Sequence, residues 1–459
     1  MAAILIAHNY HLPLDPRENA AQKPYPPLGT LVSAAAARAA GHDVAVYDPM
    51  FCRDVNTFEE ALRGHRPHKV AILADPHAIA QKMCTVTMRE AAFTMIRAAR
   101  AGGAEVLVAG PDASDRPQPY QTAGANVVAV GEHDAAFLAW AAGAPDDRGR
   151  ILSRQTQASD LSSLPFPAWD LVDMPAYASR WRQKHGAWEV NVSTARGCPY
   201  RCNWCAKPTW GRSYRVRSVV SVVAEIAALR ARWAPDRIWF TDDIFAIKPV
   251  WLREFRNAVE ADPLPYRCLT RVDLLRDEQY VEDLARSGCR EVWLGAESGS
   301  QAVLDAMDKD CTVAEIERAS ALLKAHNIRQ GFFLQLGYPG ETYADVLATA
   351  AMVRRLAPDE IGVSVSYPLP GTVFYDRVRS QLTTTNWSEA MENTVLYDAP
   401  YRQAFYDVAR ELLRSEHATM NFRWEATRKG VRRAAGAAYH LARWPILRGR
   451  LSLASQSAP

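Results

Sequence analysis

Gly197-Cys198-Pro199-Tyr200-Arg201-Cys202-Asn203-Trp204-Cys205 places three of the chain's eight cysteines within eight residues, at C-x3-C-x2-C spacing. The other five, Cys52, Cys84, Cys268, Cys289 and Cys311, are scattered singly. Three thiolates this close on one loop can converge on a single soft metal centre. No further Cys or His occurs in the ten residues after Cys205, whereas a structural zinc site closes with four ligands. Two readings stay open at this point: a four-iron cluster with one iron left for a substrate, or zinc completed by a distant histidine. Disulfide scaffolds are short, cysteine-dense secreted chains, so this thiol usage predicts a reduced, cytoplasmic protein.

The loop follows directly on a strand pattern at Glu189–Thr194, the first of a series. Further strands are expected at Arg237–Thr241, Arg267–Val272, Glu291–Gly295, Gly331–Leu336 and Glu360–Ser366. Helical patterns lie between them, at Val219–Arg232, Val281–Ser287 and Val313–His326. Six βα units fall short of the eight that close a full barrel, so residues 189–385 read as a partial, open (β/α)6 barrel. Upstream, over 1–145, strands are expected at Ala3–His8, Asp43–Asp48, Lys69–Asp75, Glu105–Gly110 and Asn126–Gly131. They alternate with helices at Leu28–Ala40, Phe58–Gly64, Met88–Ala101 and Asp134–Ala142. That alternation predicts an α/β fold with a doubly wound, Rossmann-like parallel sheet. Between the two series, 146–188 is rich in Ser, Pro and Asp around Leu164-Pro165-Phe166-Pro167 and reads as a linker. Residues 386–459 turn helical and basic.

The composition narrows the function classes. The chain has 459 residues, 48% of them hydrophobic and 23% charged, with a net charge of +3. That near-neutral balance gives no footprint for nucleic acid. No run of eighteen apolar residues is present, so no spanning helix is expected. The opening MAAILIAHNY has neither a basic lead nor a small-residue cleavage site and reads as a first buried strand, not a signal peptide.

The cysteine loop, with an aromatic (Trp204) before its last cysteine and a partial barrel behind it, resembles the radical S-adenosylmethionine (SAM) superfamily. The resemblance implies a 4Fe–4S cluster on Cys198, Cys202 and Cys205, with the open iron chelated by SAM. One-electron reduction would then yield methionine and a 5′-deoxyadenosyl radical. An electron donor such as flavodoxin or ferredoxin is implied as a partner. Supporting residues fall in order at the strand ends. Asp242 and Asp243 end the second strand, where the family places acidic contacts to the methionyl amine. Arg271 ends the third, and Glu297 ends the fourth, where a carboxylate can accept from ribose hydroxyls. Gln335 and Gly337 end the fifth, near the adenine. Singly, each also reads as a helix cap, an ion pair or a turn.

The first domain resembles the cobalamin-binding domain of one radical SAM subclass, which includes class B methyltransferases and anaerobic Mg-protoporphyrin ester cyclases. The matching stretches hold Leu28 and Gly29 at the opening of the first helix, Gly110 and Pro111 after the fourth strand, and Gly131 and Glu132 after the fifth. Small residues there would let a corrin ring lie against strand ends. Many cobalamin proteins carry a D-x-H-x-x-G histidine after the first strand, and this chain does not. Asp75-Pro76-His77 echoes it after the third strand, leaving His77 either a cobalt ligand or a loop histidine. A domain that only packs on the barrel also stays open, whereas no G-x-G-x-x-G supports a nicotinamide cofactor.

The segment 421–450 holds eight Arg or Lys against the single acid Glu425, which leaves the rest of the chain at −4. It reads either as a membrane-surface or lipophilic-substrate contact, or as a solvated face packing its tryptophans inward. The resemblance implies a cobalamin-dependent methyltransferase acting on an unactivated carbon of a small molecule. An oxidative cyclase or ring-rearranging enzyme on a tetrapyrrole or other lipophilic scaffold is the alternative, and a non-catalytic corrinoid module with a structural metal is the third.

Overall fold

The computed structural model describes residues 3–74, 85–143, 150–153, 160–205, 212–383, 393–429 and 431–456. The chain divides into two compact units. The first comprises residues 1–199 and 207–243, and the second comprises 200–206 and 244–459. The division cuts the second strand series after its second member, so the units do not follow the segments read from the sequence.

The first unit is built on six strands: β1 (Ala3–Ala7), β2 (Asp43–Tyr47), β3 (Lys69–Leu73), β4 (Glu105–Ala109), β5 (Val127–Val130) and β6 (Arg150–Ser153). All pair in parallel, in the order β2-β1-β3-β4-β5-β6. Alternate side chains enter two different cores, as the two-residue period of a strand requires. Leu5, Val70, Ile72, Val106 and Val108 pack on one face. Ile4, Ile6, Ala71, Leu73 and Leu107 pack on the other. The expected doubly wound sheet is present, and its order reverses between β1 and β3. A ligand crevice is expected outside the strand ends at such a switch. β6 lies in the segment read as a linker, as does the helix Met174–His185, capped by the Asp173 side chain. The same unit holds β7 (Glu189–Val192), the hairpin of β8 (Ala195–Arg196) and β9 (Arg215–Val216), and β10 (Arg237–Phe240), which pairs in parallel with β7.

The second unit carries β11 (Tyr266–Thr270), β12 (Cys289–Glu297), β13 (Arg329–Leu336) and β14 (Glu360–Val365), paired in sequence and in parallel. Thr312 with Glu315, and Thr342 with Asp345, form reciprocal capping boxes that start the helices Val313–Ala325 and Tyr343–Leu356. Gly331 on β13 is required by sterics, because a Cβ there would enter the Trp293 ring. The C-terminal region is two helices, Gln403–Lys429 and Val431–Gln456, the first packed on Tyr343–Leu356 and β14. Trp444 lies under the Arg354 and Arg448 guanidiniums, at 4.9 and 4.6 Å from its ring centroid, and its indole N–H donates to Glu416. For Trp444 the inward-packing reading of the tail therefore holds. The side chains of Arg423, Trp424, Arg428, Lys429, Arg432 and Arg433 lie outside the described residues. Among those described, no helix is long and apolar enough to cross a membrane.

Candidate functional site

Cys198, Cys202 and Cys205 are reduced, half-buried thiols. Cys198 belongs to the first unit, while Cys202 and Cys205 belong to the second. A turn in which the Cys205 N–H donates to the Cys202 carbonyl at 3.2 Å closes the x2 spacing. Among the described residues, no three His, Cys, Asp or Glu side chains are gathered as a ready-made metal site. Thiolates brought together without a metal repel, and binding itself commonly completes such a site.

What surrounds Cys202 suits a soft, anionic centre. Arg271, at the end of β11, points a guanidinium N–H at Cys202 Sγ, 3.5 Å away. It is held there on every side. Its Nε donates to Asp273 at 2.7 Å, a second terminal nitrogen donates to the Lys309 carbonyl at 3.0 Å, and the Tyr200 ring lies 3.6 Å beneath it. Tyr200 in turn donates its hydroxyl to Asp273 at 2.8 Å. Lys309 is itself buried, its ammonium 2.7 Å from Glu297 Oε1 and 5.6 Å from the Trp204 ring centroid. Burial alone would lower its pKa, but the Glu297 carboxylate and the Cys202 sulfur together raise it.

The backbone works to make this pair. Glu297 stands at φ +57°, beyond a register shift at the end of β12, and Asp308 and Asp310 flank Lys309 at φ +50° and +57°. Non-glycine residues rarely adopt this left-handed region, and its use at a strand end re-aims a side chain. Gly295 leaves the space that this pair occupies, since a Cβ there would meet both Glu297 Oε1 and Lys309 Nζ. The sequence reading missed Lys309. The available signal was a lone lysine between two aspartates, Asp308-Lys309-Asp310, soon after a strand-end carboxylate.

The other expected site residues divide into those already engaged and those still open. Asp242 is turned back onto the chain. It accepts from the Thr194 and Ala195 amides at 2.7 and 2.9 Å, from Ser193 Oγ at 3.1 Å, and from the Thr194 hydroxyl. Burial pushes its carboxyl up to about 6 in spite of these neutral donors. Asp243 beside it is half-buried. Gln335 donates to Ser366 Oγ at 2.9 Å, and the Gly337 amide donates to Glu341 at 2.6 Å with its own φ at +76°. Trp204 keeps a buried indole N–H with no hydrogen-bond partner among the described residues.

In the first unit Leu28 and Gly29 are buried in the opening turn of their helix. Gly110, at φ +138°, is fixed by close packing, because a Cβ would sit 2.5 Å from that of Ala74. Pro111 starts a short helix, and the Gly131 amide donates to Ser114 Oγ at 2.9 Å. Glu132 is drawn into an ion cluster, 2.8 Å from both Arg196 and Arg215. Asp75 and His77 lie outside the described residues. Among the described residues, two buried polar atoms just beyond the C-terminal end of β1 have no hydrogen-bond partner, Asn9 Oδ1 and His11 Nε2. They stand beside the switch point.

With fold and site in place, residues 192–353 match the family described as the radical SAM superfamily. Among curated proteins the chain is 26% identical over 234 residues to an uncharacterized methyltransferase of Pyrococcus horikoshii, covering 50% of each chain. It is 28% identical over 228 residues to the anaerobic magnesium-protoporphyrin IX monomethyl ester cyclase of Cereibacter sphaeroides, covering 49% of this chain and 37% of that one. The chain thus spans half or less of the length of these relatives. Among solved structures it resembles the radical SAM methyltransferase TsrM of Kitasatospora setae, described with cobalamin and a 4Fe–4S cluster bound. The TM-score is 0.67 at 20% identity, covering 83% of this chain and 75% of that one. The likeness extends the agreement in fold to most of the chain, including the α/β unit ahead of the cysteine loop.

Proposed function

We propose that this chain is a cobalamin-dependent radical SAM enzyme that methylates an unactivated carbon of a small-molecule substrate. The observation that carries the reading is the C-x3-C-x2-C loop inside the radical SAM match, with Arg271 aimed at one of its sulfurs. Cys198, Cys202 and Cys205 would hold a 4Fe–4S cluster, leaving one iron for SAM. Asp243, Glu297, Gln335 and Gly337 would orient SAM, with Lys309 completing the set as a cation. Asp242 instead braces the turn that leads into the cysteine loop. Asn9 and His11 would face a corrinoid at the switch point of the first sheet. When bound, these groups supply the reducing electron, the radical and the methyl group, while the chain supplies alignment and exclusion of water. A flavodoxin or ferredoxin would deliver the electron.

The test is anaerobic reconstitution with iron, sulfide and hydroxocobalamin, followed by incubation with methyl-labelled SAM and candidate acceptors. Label in the product together with 5′-deoxyadenosine supports the methyltransferase. SAM cleavage without label transfer would favour a cyclase, the reading supported by the Cereibacter sphaeroides relative. Zinc in place of iron would sink both.

A further inference from the structure

We propose that Arg271 and Lys309 set the reduction potential of the cluster through Cys202, acting as positioning residues for an electron and not only as contacts for SAM. This rests on the reading that the three cysteines hold a cluster.

Arg271 is not free to serve a ligand at each of its nitrogens. Asp273 and the Lys309 carbonyl occupy two of them, and Tyr200 fills the space beneath the guanidinium plane. The remaining terminal nitrogen is directed at Cys202 Sγ at 3.5 Å, within hydrogen-bonding range for sulfur. The side chain is 6% exposed, so this N–H cannot turn to water instead. Lys309 is coupled to Arg271 through its own carbonyl and to Glu297 through its ammonium. Arg271 faces the Cys202 sulfur directly, and the Lys309 ammonium lies 5.6 Å from the ring centroid of Trp204 in the same loop. Asp273 and Glu297 pair with the two cations, which offsets the cost of burying them and leaves one Arg271 N–H over for the sulfur.

The chemical consequence is directional. Reduction adds one electron, spread over irons and sulfurs, and its energy depends on the charges and N–H donors that face the sulfurs. A fixed N–H on Cys202 and the Lys309 ammonium near Trp204 stabilise the reduced state more than the oxidised one. Both groups therefore raise the potential and ease electron entry. The Asp273 carboxylate, which accepts from both Arg271 Nε and the Tyr200 hydroxyl, keeps Arg271 in place, so the donor is pre-oriented before the electron arrives.

The test is EPR-monitored redox titration of the reconstituted protein, comparing wild type with Arg271→Lys, Arg271→Met and Lys309→Met, with iron counted in each. Arg271→Lys keeps the charge and loses the planar fork. The expected order of midpoint potentials is wild type highest, then Arg271→Lys, then Arg271→Met, with Lys309→Met also shifted negative at full iron content. An unchanged potential in the variants that retain four irons would overturn the proposal. So would loss of iron in all three, because the residues would then be needed for assembly, not tuning. Failure of the wild-type chain to take up iron is a separate result and removes the cluster reading itself.

Discussion

Two buried ion clusters, one in each unit, are built from the same residue types and do opposite things. In the first unit Arg196 lies 2.8 Å from Glu132 and 2.7 Å from Asp134, and Arg215 adds a second cation 2.8 Å from Glu132. Its charges face one another, and the cluster is closed. In the second unit Arg271 spends two nitrogens on Asp273 and a carbonyl, yet keeps one for the Cys202 sulfur. That cluster is open on the side of the candidate cofactor. Closed networks hold a fold, whereas an open one offers its charge to whatever binds beside it.

The largest test of the contrast is to remove the centre the open cluster faces. Cys202→Ala is expected to lose iron on reconstitution and to produce no 5′-deoxyadenosine above background, with its circular dichroism spectrum unchanged. Iron retained at the wild-type level would break the assignment. Next in size is Arg196→Met in the closed cluster. It leaves the buried Asp134 carboxylate without its cation and Glu132 with Arg215 alone, and should lower the unfolding free energy by about 3–5 kcal/mol. Denaturant melts of the apo protein would measure it, and the cluster potential should stay at the wild-type value.

A smaller effect separates two buried carboxylates of the first unit by pH. Burial pushes Asp134 up, but the Arg196 guanidinium outweighs it and holds the carboxyl at about 2, below its ordinary 3.8. The folded state thus favours the ionised form. This stability is fully present above about pH 4 and lost as pH falls through about 2, amounting to roughly 2 kcal/mol. Asp134→Asn should therefore differ most from wild type at pH 5, and the gap should close towards pH 2. Asp242 faces only neutral donors and moves the other way, up to about 6. Its contribution is present below pH 4 and lost as pH rises through about 6. The smallest change is expected for Arg286→Ala. It removes an exposed pair with Glu260 and Glu282 and should leave the denaturation midpoint at the wild-type value. A lowered midpoint would show that surface pairs here contribute as the buried ones do.

Much of this was legible from the chain alone, and the misses have physical causes. The eleven expected strands are all present, most plainly β1, β3, β4 and β5, whose burial writes short runs of Val, Ile, Leu and Ala. β6 was missed since Arg150-Ile151-Leu152-Ser153 is short and surrounded by Ser, Asp and Gly. The helix Met174–His185 was missed because its capping Asp173 and following Pro175 sit among other turn residues.

The sequence by itself marked the candidate donor set, since thiol spacing is local and three cysteines in eight residues share one loop however the rest folds. It also determined which residues stand at strand ends, because the two-residue period and the turn that ends it are local too. Only the tertiary structure decided what those residues do there. Asp242 turns onto backbone amides, Glu132 onto two arginines, and Arg271 onto a cysteine sulfur, while Lys309, unmarked in the sequence, completes the pair with Glu297. A side chain's role depends on which group faces it across 3 Å. That partner lies 12 to 69 residues away along the chain, where no local pattern reaches.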